Sequence, residues 1–352
     1  MTAEIDWNAL QSLSEKAARS GEGPGGIPDT EWERLRRALD ILRDDEDWAG
    51  IIRLRKLFTG LLAGDSAWGI PVIQSLDEAS IEAARRLDDA AELGHLLGAR
   101  GHNLHRQGFH KEAIAAFEES AANYQKSGDS FGALKSIFMT SLCYRALDNR
   151  PKAKAILTDV LQQVEPDDPW RGNPLQVMAW LTQDEGDLPG TEKLLREVLA
   201  LHEQATDSDI LIAGTQADLG EVVGLQGRFT EASEIFQRSL AILDQYRGQY
   251  DRQEARTKLK YAELLMRQKR FDEALLLLDE ADDKIGAYGH YHDLMWRIEL
   301  TRALIFARKG RIREAILKGQ MTLRYRHILE LSNWLLVKQL VRRFLTGTGL
   351  PR

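Results

Sequence analysis

Small and apolar positions recur on a fixed schedule through most of this chain. Gly227-Arg228-Phe229-Thr230-Glu231-Ala232 is echoed by Lys269-Arg270-Phe271-Asp272-Glu273-Ala274, by Gly310-Arg311-Ile312-Arg313-Glu314-Ala315 and by Gly108-Phe109-His110-Lys111-Glu112-Ala113. Weaker copies begin at Asp148 and Gly186, so the starts fall at 108, 148, 186, 227, 269 and 310, spaced 40, 38, 41, 42 and 41. Twelve residues before the last position of each copy stands Gly101, Ser141, Ala179, Gly220, Ala262 or Ala303, all small. The last positions are small too: Ala113, Ala153, Thr191, Ala232, Ala274 and Ala315. One helical turn further on come Phe117, Leu157, Leu195, Phe236, Leu278 and the exception Gly319. A small residue on each of two antiparallel helices lets their axes approach, and an apolar residue one turn on fills the same groove. Each copy therefore predicts a helix running up to its first residue and a second helix following it, as at 207–226 and 229–246.

The flanks follow a looser pattern. A short helix is expected over 7–18, a flexible break over the Gly- and Pro-rich 20–28, and another helix from Asp29, a plausible N-cap with Glu31 and Glu33 behind it. Residues 47–62 and 71–90 read as an atypical helix pair leading into the first clear copy, and 328–345 as a final helix. The chain divides accordingly into 1–45 (N-terminal helices), 46–90 (leading pair), 91–326 (six repeats) and 327–352 (last helix and tail). Runs of β-branched residues are scarce, and Ala, Leu, Glu, Arg and Gln are plentiful, which favours an all-α fold.

The fourth copy, Leu219-Gly220-x-x-Val223-x-x-x-Gly227-Arg228-Phe229-x-Glu231-Ala232-x-x-x-Phe236, resembles the tetratricopeptide repeat. The resemblance spans roughly 90–325 in six copies. It implies a right-handed α-solenoid of antiparallel helix pairs, each burying its apolar face against its neighbours. The period of about 40 departs from the usual 34. That longer period, with the Ser127-Gly128-Asp129 stop, is similar to the subclass in kinesin light chains and in the sensor ends of bacterial signal-transduction ATPases and maltose-type activators.

Composition narrows the function. Among 352 residues, 43% are hydrophobic and 29% charged, the formal net charge is −7, and there is one cysteine. A single Cys excludes an internal disulfide framework and a multi-Cys zinc site, and fits a reducing, cytoplasmic compartment. Residues 1–20 carry Glu4, Asp6 and Glu15 and no apolar stretch, so no secretory leader is expected; nor is any membrane span. Charge is uneven: from Tyr288 to Arg352 there are thirteen Lys/Arg against four Asp/Glu. The basic end reads as a docking patch for an acidic partner or as a solvated face, and not as a nucleic-acid surface.

Enzyme motifs are missing. There is no GxxxxGK[ST] phosphate loop, Gly347-Thr348-Gly349 stands in the tail, and His202-Glu203-Gln204-Ala205-Thr206 is not HExxH. Cys143 sits mid-helix among apolar neighbours and reads as a buried structural thiol. His95, His102, His105 and His110 cluster in sequence, and His102 and His105 share a helix face. No Cys, Asp or Glu completes a set at helical spacing, so they read as a polar lining and no metal or cofactor is expected.

The resemblance implies a concave groove lined by first-helix residues. Register places His95, His102, His105 and Arg106 there, then Lys135, Phe138, Leu142 and Arg145, then Asn173, Gln176, Trp180 and Gln183. Gly214, Ala217, Glu221, Gly224 and Leu225 follow, then Arg256, Leu259, Glu263, Met266 and Arg267, then Arg297, Leu300, Leu304 and Arg308. The small fourth set forms either a recess for a partner's apolar side chain or merely a tighter helix approach. The Lys/Asn/Asn/Lys/Arg set of chaperone-tail binders is not matched. On the last helix, Trp334, Leu336, Val337, Lys338, Leu340, Arg342, Arg343 and Phe344 present a second apolar and basic face for a partner or a second copy. The expected function is a non-enzymatic protein–protein interaction module: an adaptor, regulator or inhibitory subunit in a bacterial signalling or defence setting. The alternative is a regulatory domain that senses a small molecule or a short peptide.

Overall fold

The computed structural model describes residues 5–19, 29–58, 71–206, 208–246, 248–286 and 292–328. The helix expected over 328–345, with its eight docking residues from Trp334 to Phe344, lies outside them apart from Ile328. Among the described residues there are sixteen α-helices, one 3-10 turn and no strand. The chain forms two compact units, Met1–Ile156 and Leu157–Arg352.

The first unit opens with α1 (Trp7–Arg19), α2 (Asp29–Asp44), α3 (Trp48–Leu57) and α4 (Pro71–Arg86). Leu13, Leu35, Leu39, Ile51, Leu54, Ile73 and Leu76 meet in one core with exposures of 2% or less. Then come α5 (Ala90–Gln107) paired with α6 (His110–Ser127), α7 (Ser130–Ala146), and α8 (Arg150–Gln162), within which the unit ends. The second unit holds the rest of α8, the 3-10 turn Pro169–Arg171, and the pairs α9 (Gly172–Glu185) with α10 (Leu188–Gln204), α11 (Asp209–Leu225) with α12 (Phe229–Asp244), α13 (Asp251–Arg267) with α14 (Phe271–Gly286), and α15 (His292–Arg308) with α16 (Ile312–Ile328). The fold is all-α, built within each unit of tetratricopeptide-type helix pairs.

The periodic positions do the packing. A Cβ on Gly101 would lie 2.8 Å from the ring of Phe117, and one on Gly220 3.1 Å from the ring of Phe236. Ser141, Ala153, Leu157, Ala179, Thr191, Leu195, Ala232, Ala262, Ala274 and Leu278 are all fully buried. The schedule lapses only in the last pair. Ala303 and Ala315 are half-buried, open space lies beside Gly319, and Ile312, Ile316 and Leu323 are exposed along one stripe of α16.

Each copy begins in the left-handed region of backbone space: φ is +90° at Gly108, +57° at Asp148, +91° at Gly186, +87° at Gly227, +62° at Lys269 and +73° at Gly310. This single reversed residue ends one helix and aims the next back along it. A side chain there costs roughly 1–2 kcal/mol, partly offset by the loss of glycine's freedom in the unfolded chain. Lys269→Gly is therefore expected to stabilise by up to about 1 kcal/mol, read as a higher melting temperature, whereas Gly227→Ala is expected to lower it.

Candidate functional site

In the second unit the first helices of successive pairs stack directly, α11 on α13 and α13 on α15. They carry a charged cluster. Asp218, 3% exposed, accepts hydrogen bonds from Gln176 Nε2 (3.0 Å) and Trp180 Nε1 (2.8 Å) on one oxygen. Its other oxygen accepts from Arg256 Nη2 (2.8 Å) and Lys260 Nζ (2.5 Å). Lys260, 6% exposed, also meets Glu221 Oε2 at 2.6 Å. Arg297 lies 3.6 Å from Glu263, which the Thr301 hydroxyl approaches at 3.5 Å. The Arg256 guanidinium stands over the Trp180 ring, 5.7 Å from its centroid.

Burial opposes the charge on Asp218, but Lys260 and Arg256, with hydrogen bonds from Lys260 and Trp180, hold its carboxyl below the ordinary range. Burial likewise opposes the charge on Glu221, and Lys260, Arg297 and Arg267 hold it well below that range. Both carboxylates therefore stay ionised at neutral pH. With Glu263 they number three against the four cations Arg256, Lys260, Arg267 and Arg297, leaving a positive surplus of one. The rim reaches solvent: the side chains of Arg256, Glu221 and Arg297 are 31%, 25% and 21% exposed.

Gln176, Trp180, Glu221, Arg256, Glu263, Arg267 and Arg297, all placed on this face by register, are thus brought together. Asp218 and Lys260, the centre of the cluster, were missed. Their signal was available: opposite charges 42 positions apart, one repeat period. Asn173, Gln183 and Leu225 are half-buried outside these bonds to Asp218, and Asn173 donates to Trp170 O. The small fourth set serves helix approach, since a Cβ on Gly224 would lie 2.5 Å from Leu264 and Ala217 is fully buried. Arg308, half-buried, keeps Nη1 and Nη2 without a hydrogen-bond partner, and burial pulls its guanidinium below its ordinary value.

The first unit holds a cavity of about 400 Å³ lined by α5, α6 and α7. Four residues expected in the groove line it: His95, His102, Arg106 and Lys135. Asn103, Ser136, Tyr124, Phe117 and Met139 add polar and apolar wall, and no carboxylate lines it. His102 packs edge-on against Phe117, ring centroids 5.6 Å apart; burial, with Arg106 nearby, pulls its imidazole below the usual value. Phe138 is buried instead, and Leu142 and Arg145 are half-buried outside the cavity lining.

His105 also turns away from the cavity. The tight turn at Gly108 sets the last turn of α5 against the first of α6, so the His105 and His110 rings lie 5.0 Å apart. Cys143, fully buried on α7, places its sulfur 3.4 Å from His105 Nδ1. Burial pushes the thiol up to about 12, so by itself it is protonated at neutral pH and is no nucleophile.

Residues 211–282 match the family model described as tetratricopeptide repeat. No curated protein is significantly similar to the chain in sequence. Among solved structures, it is similar to a Rap protein complexed with competence and sporulation factor (12% identity, 92% of this chain and 98% of that one, TM-score 0.58). It is also similar to NprR in complex with its cognate peptide NprX (15% identity, 97% and 98%, TM-score 0.56). A third likeness is to aspartyl phosphate phosphatase F from Bacillus subtilis (12% identity, 93% and 96%, TM-score 0.50). At these identities the likeness is one of fold. No helix among the described residues is long and apolar enough to cross a membrane.

Proposed function

From a chain built of tetratricopeptide repeats, we infer a non-enzymatic regulatory module that binds a peptide, free or as a segment of a partner protein, on the first-helix face of its second unit. The observation that carries this is the convergence of charged side chains of α11 and α13 around Asp218, with Arg297 of α15 beside Glu263 and Trp180 of α9 as an aromatic edge. Packing of the pairs needs none of these groups; small and apolar positions supply it. Buried ion pairs are a poor source of stability, so a fold that keeps them invites a role in recognition. Guanidinium and ammonium groups bind carboxylates and backbone carbonyls, Glu221 and Glu263 accept from peptide N–H groups, and Trp180 offers apolar area. One of the similar structures, NprR, was solved with its cognate peptide, which supports the class of ligand.

A displayed library of short peptides with free C-termini tests it. Selected sequences are expected to bind the full chain and to lose about tenfold or more with Arg256→Gln or Arg297→Gln, a change of about 1.4 kcal/mol or more. Peptides that bind both variants as tightly as the parent chain, or a selection that yields none, would overturn the reading.

The cavity of the first unit favours the second reading, a small-molecule sensor. Its volume lies in the range of ligand pockets, and its lining of imidazoles, Arg106 and Lys135 without a carboxylate suits an anion. Citrate or inorganic phosphate raising the melting temperature of the parent but not of Lys135→Gln is the outcome that distinguishes it.

A further inference from the structure

Three soft donors from three helices meet at one point of the first unit, apart from both sites above. His105 closes α5, His110 opens α6, and Cys143 sits on α7 of the next pair. One ligand atom from each lies within 4.8 Å of the other two. Cys143 Sγ and His105 Nδ1 are 3.4 Å apart. Two donors on a tetrahedral zinc ion, at bond lengths of about 2.0–2.1 Å for nitrogen and 2.3 Å for sulfur, stand roughly 3.5 Å apart. Nδ1 of His110 is buried with no hydrogen-bond partner, a state that polar atoms in proteins seldom keep without a use.

We propose that His105, His110 and Cys143 form a zinc site. One thiolate and two imidazoles are a borderline-soft set that suits Zn²⁺ over Mg²⁺ or Ca²⁺. Three protein ligands leave the fourth position for water or an exogenous donor. On binding, the Cys143 S–H bond breaks and its proton passes to solvent. The sulfur electron pair forms the Zn–S bond, and each histidine donates the lone pair of a neutral ring nitrogen. The ion ties the turn at Gly108 to α7, so the first two repeats gain a cross-link that depends on metal supply. This reading is independent of the peptide face.

The test uses the full chain, reduced and stripped with chelator, then titrated with Co²⁺ as a spectroscopic probe and with Zn²⁺. One ion per chain is expected, with thiolate-to-cobalt charge-transfer absorption and the strong visible bands of a four-coordinate ion, displaced by one equivalent of zinc. Cys143→Ala is expected to remove the charge-transfer band. Because that buried substitution can disturb folding, His110→Gln, at a half-buried helix start, provides the second arm, with affinity falling by about tenfold or more. His102→Gln, one turn from His105 but outside the set, is the control and is expected to bind as the parent does. Substoichiometric binding, a charge-transfer band that survives Cys143→Ala, equal loss in His102→Gln, or retention of Cu⁺ without Zn²⁺ would overturn the assignment.

Discussion

Asp218→Ala is expected to destabilise the second unit by about 3–5 kcal/mol, the range for breaking a buried ion pair from one side. The loss lies less in the missing bonds than in what remains. Lys260, 6% exposed, would be left in a poorly solvated site with Glu221 as its nearest compensation, and Arg256 would lose its contact with Asp218. Hydrogen exchange of the amides of α11 and α13 reads this locally and is expected to quicken in both helices. Asp218→Leu combined with Lys260→Met is expected to recover only part of the stability, because it removes the stranded ammonium group but also takes Lys260 from Glu221. Acid is expected to act in the same direction as the substitution. Asp218 and Glu221 have carboxyls depressed in the folded state, so they contribute stability above the ordinary carboxylate range. That contribution is lost as pH falls below about 4 toward their folded values. In Asp218→Ala the acid-dependent fall is expected to be shallower than in the parent; an equally steep fall would show that the cluster is not its source.

Phe236→Ala is expected to be comparably severe, about 3–5 kcal/mol. The ring is fully buried, closes the space above Gly220, and stacks on Tyr261 at 5.2 Å between centroids. The cavity opens where two pairs meet, so the loss is expected to reach α13 as well as α11 and α12. Urea denaturation is the measurement: a lower midpoint at unchanged slope is expected. Gly220→Ala offers the converse case, since its added Cβ would press on the same ring at 3.1 Å.

How far the sequence revealed this arrangement depends on what each residue has to do. The packing positions were legible in the first five copies because close approach of two helices demands a small residue, whereas in the last pair Ala303 and Ala315 are only half-buried. Helix ends were legible to within a few residues; the expected 207–226 and 229–246 are Asp209–Leu225 and Phe229–Asp244. The reversed residue was legible as glycine in four copies but hidden at Asp148 and Lys269, where an L-residue accepts the same positive φ. The charged face was half legible. Register found its rim, but Asp218 stands directly before the Leu219-Gly220 motif and drew no notice, although it is the hub. The His/Cys cluster illustrates a different limit. Spacing along one helix reports neighbours on that helix alone, and Cys143 reaches His105 from 38 residues away.

The ladder around Asp218 has a consequence for the order of the repeats. Steric fit is nearly the same in the copies before the last pair, so exchanging two of those repeats would leave small residues facing aromatic or aliphatic ones. Charge is not interchangeable in this way. Asp218 is matched by Gln176 and Trp180 on one side and by Arg256 and Lys260 on the other. A shuffled array would fill its grooves and strand a carboxylate or an ammonium group in its interior. Shape allows such an exchange, and the buried charges forbid it.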